Sequence, residues 1–134
     1  MFKAQTEWNK PEEFPDLRNC NQIAIDLETH DPDLKSMGSG AVVGRGKVVG
    51  IAVATDGYSG YFPFDHKGGG NLEKAKVIQW FTDVCKSNAD KIFHNAMYDV
   101  CWIRSMGIKI NGRIYDTMIA ASLVNENRFR FDLN

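Results

Sequence analysis

The sequence predicts an α/β domain built on a mixed β-sheet. Three patterns carry that prediction: an apolar–polar alternation over residues 23–28, a helical stripe of apolar residues between 72 and 85, and a strand, cap and helix in succession over 91–107. Residues 1–21 contain Pro11 and Pro15 and predict an irregular lead-in whose Trp8 and Phe14 pack against the domain. A strand follows over about 22–28, with Ile23, Ile25 and Leu27 on one face and Ala24, Asp26 and Glu28 on the other. Residues 31–46, rich in Gly, Asp and Ser, predict a long loop. Gly38 and Gly40 within it do not make a dinucleotide fingerprint, because Val43 stands where the third glycine is needed and no helix is expected to follow.

A second strand is predicted over 48–55, a turn at Asp56-Gly57 and a third strand over 58–64. Lys67-Gly-Gly-Gly70 reads as flexible loop. Asn71 reads as the N-cap of a helix with Glu73 in its first turn, and Leu72, Val77, Ile78, Phe81, Val84 and Cys85 form its apolar stripe through residue 87. Residues 91–94 predict a short strand and Asn95 the cap of a helix ending at Gly107. A fifth strand, interrupted at Asn111-Gly112, is expected within 108–115, and Asp116 caps a last helix over 117–124. This order predicts three antiparallel meandering strands, then parallel strands covered by helices.

Bulk properties narrow the function. With 134 residues, 43% hydrophobic and 25% charged, the chain has the size and composition of one globular domain with a real core. The longest apolar run, 48–54, is too short to span a bilayer, and the N-terminus lacks the apolar stretch of a signal peptide. Cys20, Cys85 and Cys101 are scattered with no Cys-x-x-Cys pair, which fits a reduced, cytoplasmic setting. Net charge is −1, so no global basic field recruits nucleic acid. Residues 1–33 carry three basic and eight acidic groups, a balance of −5, whereas residues 101–134 carry five and three, a balance of +2. The acidic strand region would attract phosphate only through bound divalent metal.

Asp26 and Glu28 at i and i+2 of a strand point the same way, roughly 6.5–7 Å apart along the backbone. A lone Asp-x-Glu is common on surface strands. Here Asn95 and Asp99, at i and i+4, add a second polar pair on one face near a helix start, where ligands of α/β sheets gather. The plainer alternative makes Asn95 only a cap and Asp99 a solvated acid.

The segments IAIDLET (23–29) and HNAMYD (94–99), in this order and separated by a β-β-α stretch, resemble the first two motifs of the DEDD 3′→5′ exonucleases. GRGKVVGIAVATDGYSGYFPF (44–64), HKGGGNL (66–72), FHNAMYDVCWIR (93–104) and YDTMIAASLVNENRF (115–129) resemble the proofreading domain of bacteriophage family A DNA polymerases, over about residues 8–134. The resemblance implies a ribonuclease H-like mixed sheet over 22–134, incomplete at its C-terminus. It implies Asp26, Glu28 and Asp99 as catalytic acids and metal ligands, with Thr29 and Asn95 touching the substrate's 3′ end. It further implies two Mg²⁺ or Mn²⁺ ions, about 3.5–4 Å apart and bridged by Asp26, acting on the terminal phosphodiester of single-stranded DNA. Carboxylate oxygens suit those ions better than zinc, and His30, His66 and His94 show no ligand spacing and read as structural. A phage origin implies the host cytoplasm, with the remaining polymerase portion as a partner in trans.

The family's third motif, Tyr-x-x-x-Asp or His-x-x-x-x-Asp, has no counterpart after Asp116, since Glu126 and Asp132 lack a Tyr or His at that spacing. Asp116 reads as a helix cap rather than a ligand. The expectation is a fragment that binds divalent metal yet degrades single-stranded DNA slowly or not at all. Two other readings share the motifs or the fold: an RNase D-type RNA exonuclease, and a non-catalytic module binding nucleic acid or protein. Trp80, Phe81 and Trp102 occupy helical positions that predict core packing rather than base stacking.

Overall fold

In the computed structural model, which describes residues 8–128 and 130–133, the alternating segment forms β1 (Gln22–His30). Ile23, Ile25 and Leu27 are buried, and Asp26 and Glu28 are exposed on the opposite face. The expected loop over 31–46 instead contains two single-turn helices, α1 (Leu34–Met37) and α2 (Gly40–Val43). The Asp31 carboxylate organises this segment by accepting from the Gly40 amide at 3.0 Å, and Gly38 supplies a φ of +82° between the two turns.

The hairpin of β2 (Lys47–Thr55) and β3 (Tyr58–Pro63) turns at Asp56-Gly57 as expected, with Gly57 at φ +75°. Glu28 pairs with Gly50 but Thr29 with Val48, so Val49 is an extra residue and β2 carries a bulge beside the acid pair. Helix α3 (Lys74–Lys86) buries Val77, Phe81, Val84 and Cys85 of the predicted stripe, while Ile78 is half-buried and Leu72 lies before the helix. It starts later than the sequence suggests, and Asn71 is not its cap. The Asn71 amide instead bonds both the amide and the carbonyl of His66, at 2.8 Å each, and so closes the 66–71 loop.

Strand β4 (Asp90–Phe93) runs parallel to β1, helix α4 (Ala96–Ser105) follows, and β5 (Ile114–Asp116) pairs parallel with β4 before α5 (Thr117–Val124). The fifth strand is shorter than predicted, because Gly112 turns at φ +80° against the Ala89 carbonyl and pairing begins only at Ile114. The sheet order is β3-β2-β1-β4-β5, the antiparallel meander followed by parallel strands that the element order predicts. No helix among the described residues is long and apolar enough to cross a membrane.

The core lies on the Ile23 face of the sheet, where Phe62, Phe81, Trp102 and Ile103 join one cluster with the β1 aliphatics. Phe81 and Trp102 are buried, and Trp80 packs on Phe62 while its indole donates to the Pro15 carbonyl, so all three aromatics are core or core rim. Trp8 and Phe14 of the lead-in pack as expected, Trp8 edge-on to Tyr61 and Phe14 stacked on Phe62. The other face is open. A groove of about 860 Å³ runs over it, lined by Ala24, Asp26, Ala52, Tyr61 and Ile92 among others.

At the far end of the sheet from the acids, Lys91 is fully buried at the start of β4. Its ammonium donates to the carbonyls of Ser87 (2.6 Å), Ala89 (2.7 Å) and Asn111 (3.0 Å), ties that hold the end of α3 against the loop before β5. Three N–H donors meeting three carbonyls make the charged form tolerable there.

Candidate active site

The acids gather where β1 passes the start of α4. Alternation along β1 puts Asp26 and Glu28 on the open face, and the α4 spacing turns Asp99 inward, only 3% exposed. Burial pushes the Asp99 carboxyl up to about 7, and the negative charges of Asp26, Glu28 and Asp116 add to the effect against a backbone bond from Leu27. Asp99 thus sits in the field of the β1 pair and is no solvated helical acid. Among the described residues, however, no three His, Cys, Asp or Glu side chains converge as a ready-made ligand set. The three acids are neighbours through their fields rather than around one common point. Their donor chemistry still fits a hard divalent cation, because every donor is a carboxylate oxygen and one of them is buried among negative charges, with no cationic partner among the described residues.

Thr29 stands at the bulge and meets α4 through Tyr98. The Tyr98 hydroxyl donates to Asp31 at 3.0 Å, so its oxygen accepts from the Thr29 hydroxyl at 2.8 Å. Thr29 is therefore fixed with its own oxygen lone pairs still available. Asn95 is exposed at φ +68°, the one left-handed non-glycine among the described residues, and its side chain makes no capping bond. It occupies the cap position of α4 without acting as the cap. Its conformation stores strain of about 1 kcal/mol, of the kind that collects at functional sites.

Asp116 does the capping, twice. Its carboxylate accepts from Met118 and Ile119 at the start of α5, as predicted, and also from Asn95 (3.1 Å) and Ala96 (2.8 Å) at the start of α4. Burial pushes its pKa up, but the four backbone donors outweigh that and leave it below the usual carboxylate range. Asp116→Ala should cost roughly 2 kcal/mol, about one per abandoned helix start, read by urea unfolding. Because the folded-state pKa is lowered, this contribution is present above the unfolded carboxyl pKa and disappears as pH falls through the folded value, so the two proteins should converge in acid.

Of the five candidate residues, Asp26, Glu28 and Asp99 are brought within one field, Thr29 is tied to α4, and Asn95 begins that helix. Sequence patterns missed Tyr98 and Asp31, although the acid two residues beyond Thr29 and a tyrosine beside Asp99 were the available signals. The β5–α4 cap was invisible, since Asn95 and Asp116 are 21 residues apart and meet only because β4 and β5 pair.

Comparison with known proteins identifies the fold and the family. The chain is 35% identical over 132 residues to a DNA-directed DNA polymerase of Pseudomonas phage M6, covering 92% of this chain and 20% of that protein. It is 30% identical over 112 residues to DNA polymerase I of Borreliella burgdorferi, covering 83% of this chain and 11% of that one. The chain thus spans a fifth or less of the length of these two relatives. In fold it is similar to Brucella melitensis NrnC with bound Mg²⁺, at TM-score 0.59 and 19% identity over 88% of this chain and 52% of the other. The Trypanosoma brucei RNase D complex with RNA U12 gives TM-score 0.59 at 17% identity, over 81% and 34%. The sheet is accordingly of the ribonuclease H-like type. A family model described as 3′-5′ exonuclease matches residues 5–133, and this chain belongs to that family.

Proposed function

We propose that the chain is the proofreading 3′→5′ exonuclease portion of a DNA polymerase, acting on the 3′ end of single-stranded DNA with Mg²⁺ or Mn²⁺. The observation that carries the reading is Asp99, a buried acid whose pKa is raised by burial and by the charges of Asp26, Glu28 and Asp116. A site that accumulates negative charge in this way repels a phosphodiester until divalent metal reverses its sign. When bound, the metal supplies that reversal and makes a water acidic enough to react.

The chain's own residues would then do the following. Asp26, Glu28 and Asp99 hold the metal through carboxylate oxygens, and Thr29 and Asn95 receive the terminal nucleotide. Thr29, locked by Tyr98 and Asp31, offers its oxygen to a 3′-hydroxyl. In the hydrolysis a water oxygen bonds to the terminal phosphorus, the bond to the preceding 3′-oxygen breaks, and a nucleoside 5′-monophosphate leaves a shortened strand ending in a 3′-hydroxyl. The polymerase relatives support DNA over RNA, while the RNase D likeness extends only to the fold.

The test is Mn²⁺ titration followed by binding of a 5′-labelled oligothymidine and of its RNA counterpart. Wild type should bind Mn²⁺, bind the DNA only when Mn²⁺ is present, and trim it slowly from the 3′ end. Asp26→Ala should lose all three behaviours. Metal-independent DNA binding, or Mn²⁺ binding unaffected by Asp26→Ala, would overturn the proposal; preference for the RNA strand would favour the RNase D-type reading.

A further inference from the structure

Gly50 stands directly across from Glu28 in the β1–β2 ladder. A side chain at Gly50 would overlap the Tyr61 hydroxyl, with the ring carbon Cζ only 2.6 Å from the position of its Cβ. Tyr61 pairs across β2 with Ala52, which in turn pairs with Asp26, so its side chain emerges on the same face as both strand acids. The ring leans diagonally over Gly50 and delivers its hydroxyl to the space beside Glu28. Burial pushes the phenol pKa up to about 12, and the negative charge of Glu28 adds to this.

The hydroxyl is also gripped from behind. Its oxygen bonds His66 Nε2, and His66 is itself pinned by Asn71 through both its amide and its carbonyl. Trp8 packs edge-on against the ring, with its indole donating to the Tyr61 carbonyl at 3.3 Å. With the proton on Nε2, His66 donates to the phenolic oxygen and leaves the tyrosine proton free for a carboxylate. Gly50, Tyr61, His66 and Asn71 come from β2, β3 and the loop after it, and together they fix one hydroxyl. That hydroxyl has no other partner among the described residues.

We propose that Tyr61, held by His66, is a positioning residue that orients the Glu28 carboxylate toward metal and water. The proposal rests on the exonuclease reading for its purpose, but the placing of the Tyr61 hydroxyl over Gly50, opposite Glu28, rests on the sheet register and that contact. A donor on the outer oxygen of a ligating carboxylate fixes its direction, and loss of such a partner typically weakens metal affinity by about 10–100-fold.

Two measurements decide it. In metal-free protein carrying ¹³C at tyrosine Cζ, Glu28→Gln should move the Tyr61 resonance while those of Tyr58 and Tyr115 stay in place. In Mn²⁺ titration, Tyr61→Phe, which keeps the ring and its packing on Trp8, should bind about tenfold more weakly at an unchanged melting temperature. His66→Ala should weaken binding in the same direction. A Tyr61 resonance indifferent to Glu28→Gln, or Tyr61→Phe binding Mn²⁺ as wild type does, overturns the proposal. If wild type binds no Mn²⁺, the exonuclease reading fails, and the resonance still decides whether the two side chains are partners.

Discussion

Lys91→Met is expected to remove about 3–5 kcal/mol of stability, a large part of the few kcal/mol that hold a domain of this size together. Methionine keeps the apolar stem in its packed place but supplies none of the three N–H donors. The carbonyl of Ala89 is then left buried without its donor and those of Ser87 and Asn111 half-buried without theirs, and each such group costs about 1–3 kcal/mol. The damage is local in origin and broad in effect. Asn111 also bonds Cys85 and Lys86 through its amide and side chain, so the same knot fastens α3 to the approach of β5. Burial alone depresses the Lys91 pKa, which makes the lysine look like a liability; the three carbonyls turn it into a clamp. Guanidinium unfolding monitored by tryptophan fluorescence gives the number, and a loss below about 1 kcal/mol would show that the ammonium contributes nothing beyond packing.

Asp99→Asn should act in the opposite direction, stabilising the metal-free protein. The Asp99 pKa rises from 3.8 to about 7 on folding, chiefly through burial and then through Asp26. A carboxyl raised in this way makes the folded state hold a proton that the unfolded state has released. Stability is therefore highest below the unfolded pKa, declines as pH rises through the window from about 4 to 7, and stays reduced above it. The full penalty is roughly 4 kcal/mol, and asparagine, which cannot ionise, escapes it. In EDTA the two proteins should melt together near pH 4 and separate at pH 8, with the variant higher. Added Mn²⁺ should then raise the melting temperature of wild type and leave Asp99→Asn nearly unmoved, because ligand binding stabilises only a chain that binds. Parallel pH profiles for the two proteins would remove Asp99 from the acid cluster.

The contrast between these two buried charges marks how far the sequence could be read. Alternation over 23–28 and the stripe of α3 announced their elements because burial there is a matter of period, and period is visible in a string. The same logic brought out Asp26, Glu28 and Asp99, whose spacing was the signal. Lys91 gave no signal, since a lysine in a short strand normally ends in water and only the meeting of three loop carbonyls explains its burial. Asn71 and Asn95 were both read as caps from residue type. One closes a loop and the other sits in a left-handed bend, because the carboxylate that caps α4 arrives from β5. Tyr61 carried no local signal either: its importance comes from a diagonal reach across Gly50, and a diagonal requires the register.

Asp116 gives this architecture a shared hinge pin. One carboxylate closes the first turn of the helix that carries Asp99 and the first turn of α5, whose Ile119, Leu123 and Val124 are all exposed. Helix starts secured by separate residues can fray separately, whereas two starts drawn to one anion open as a unit. A load placed on α5, by contact or by thermal agitation, is therefore transmitted to the backbone of Asn95 and Ala96 and so to the seat of Asp99. The acid cluster is only as still as the neighbouring helix allows.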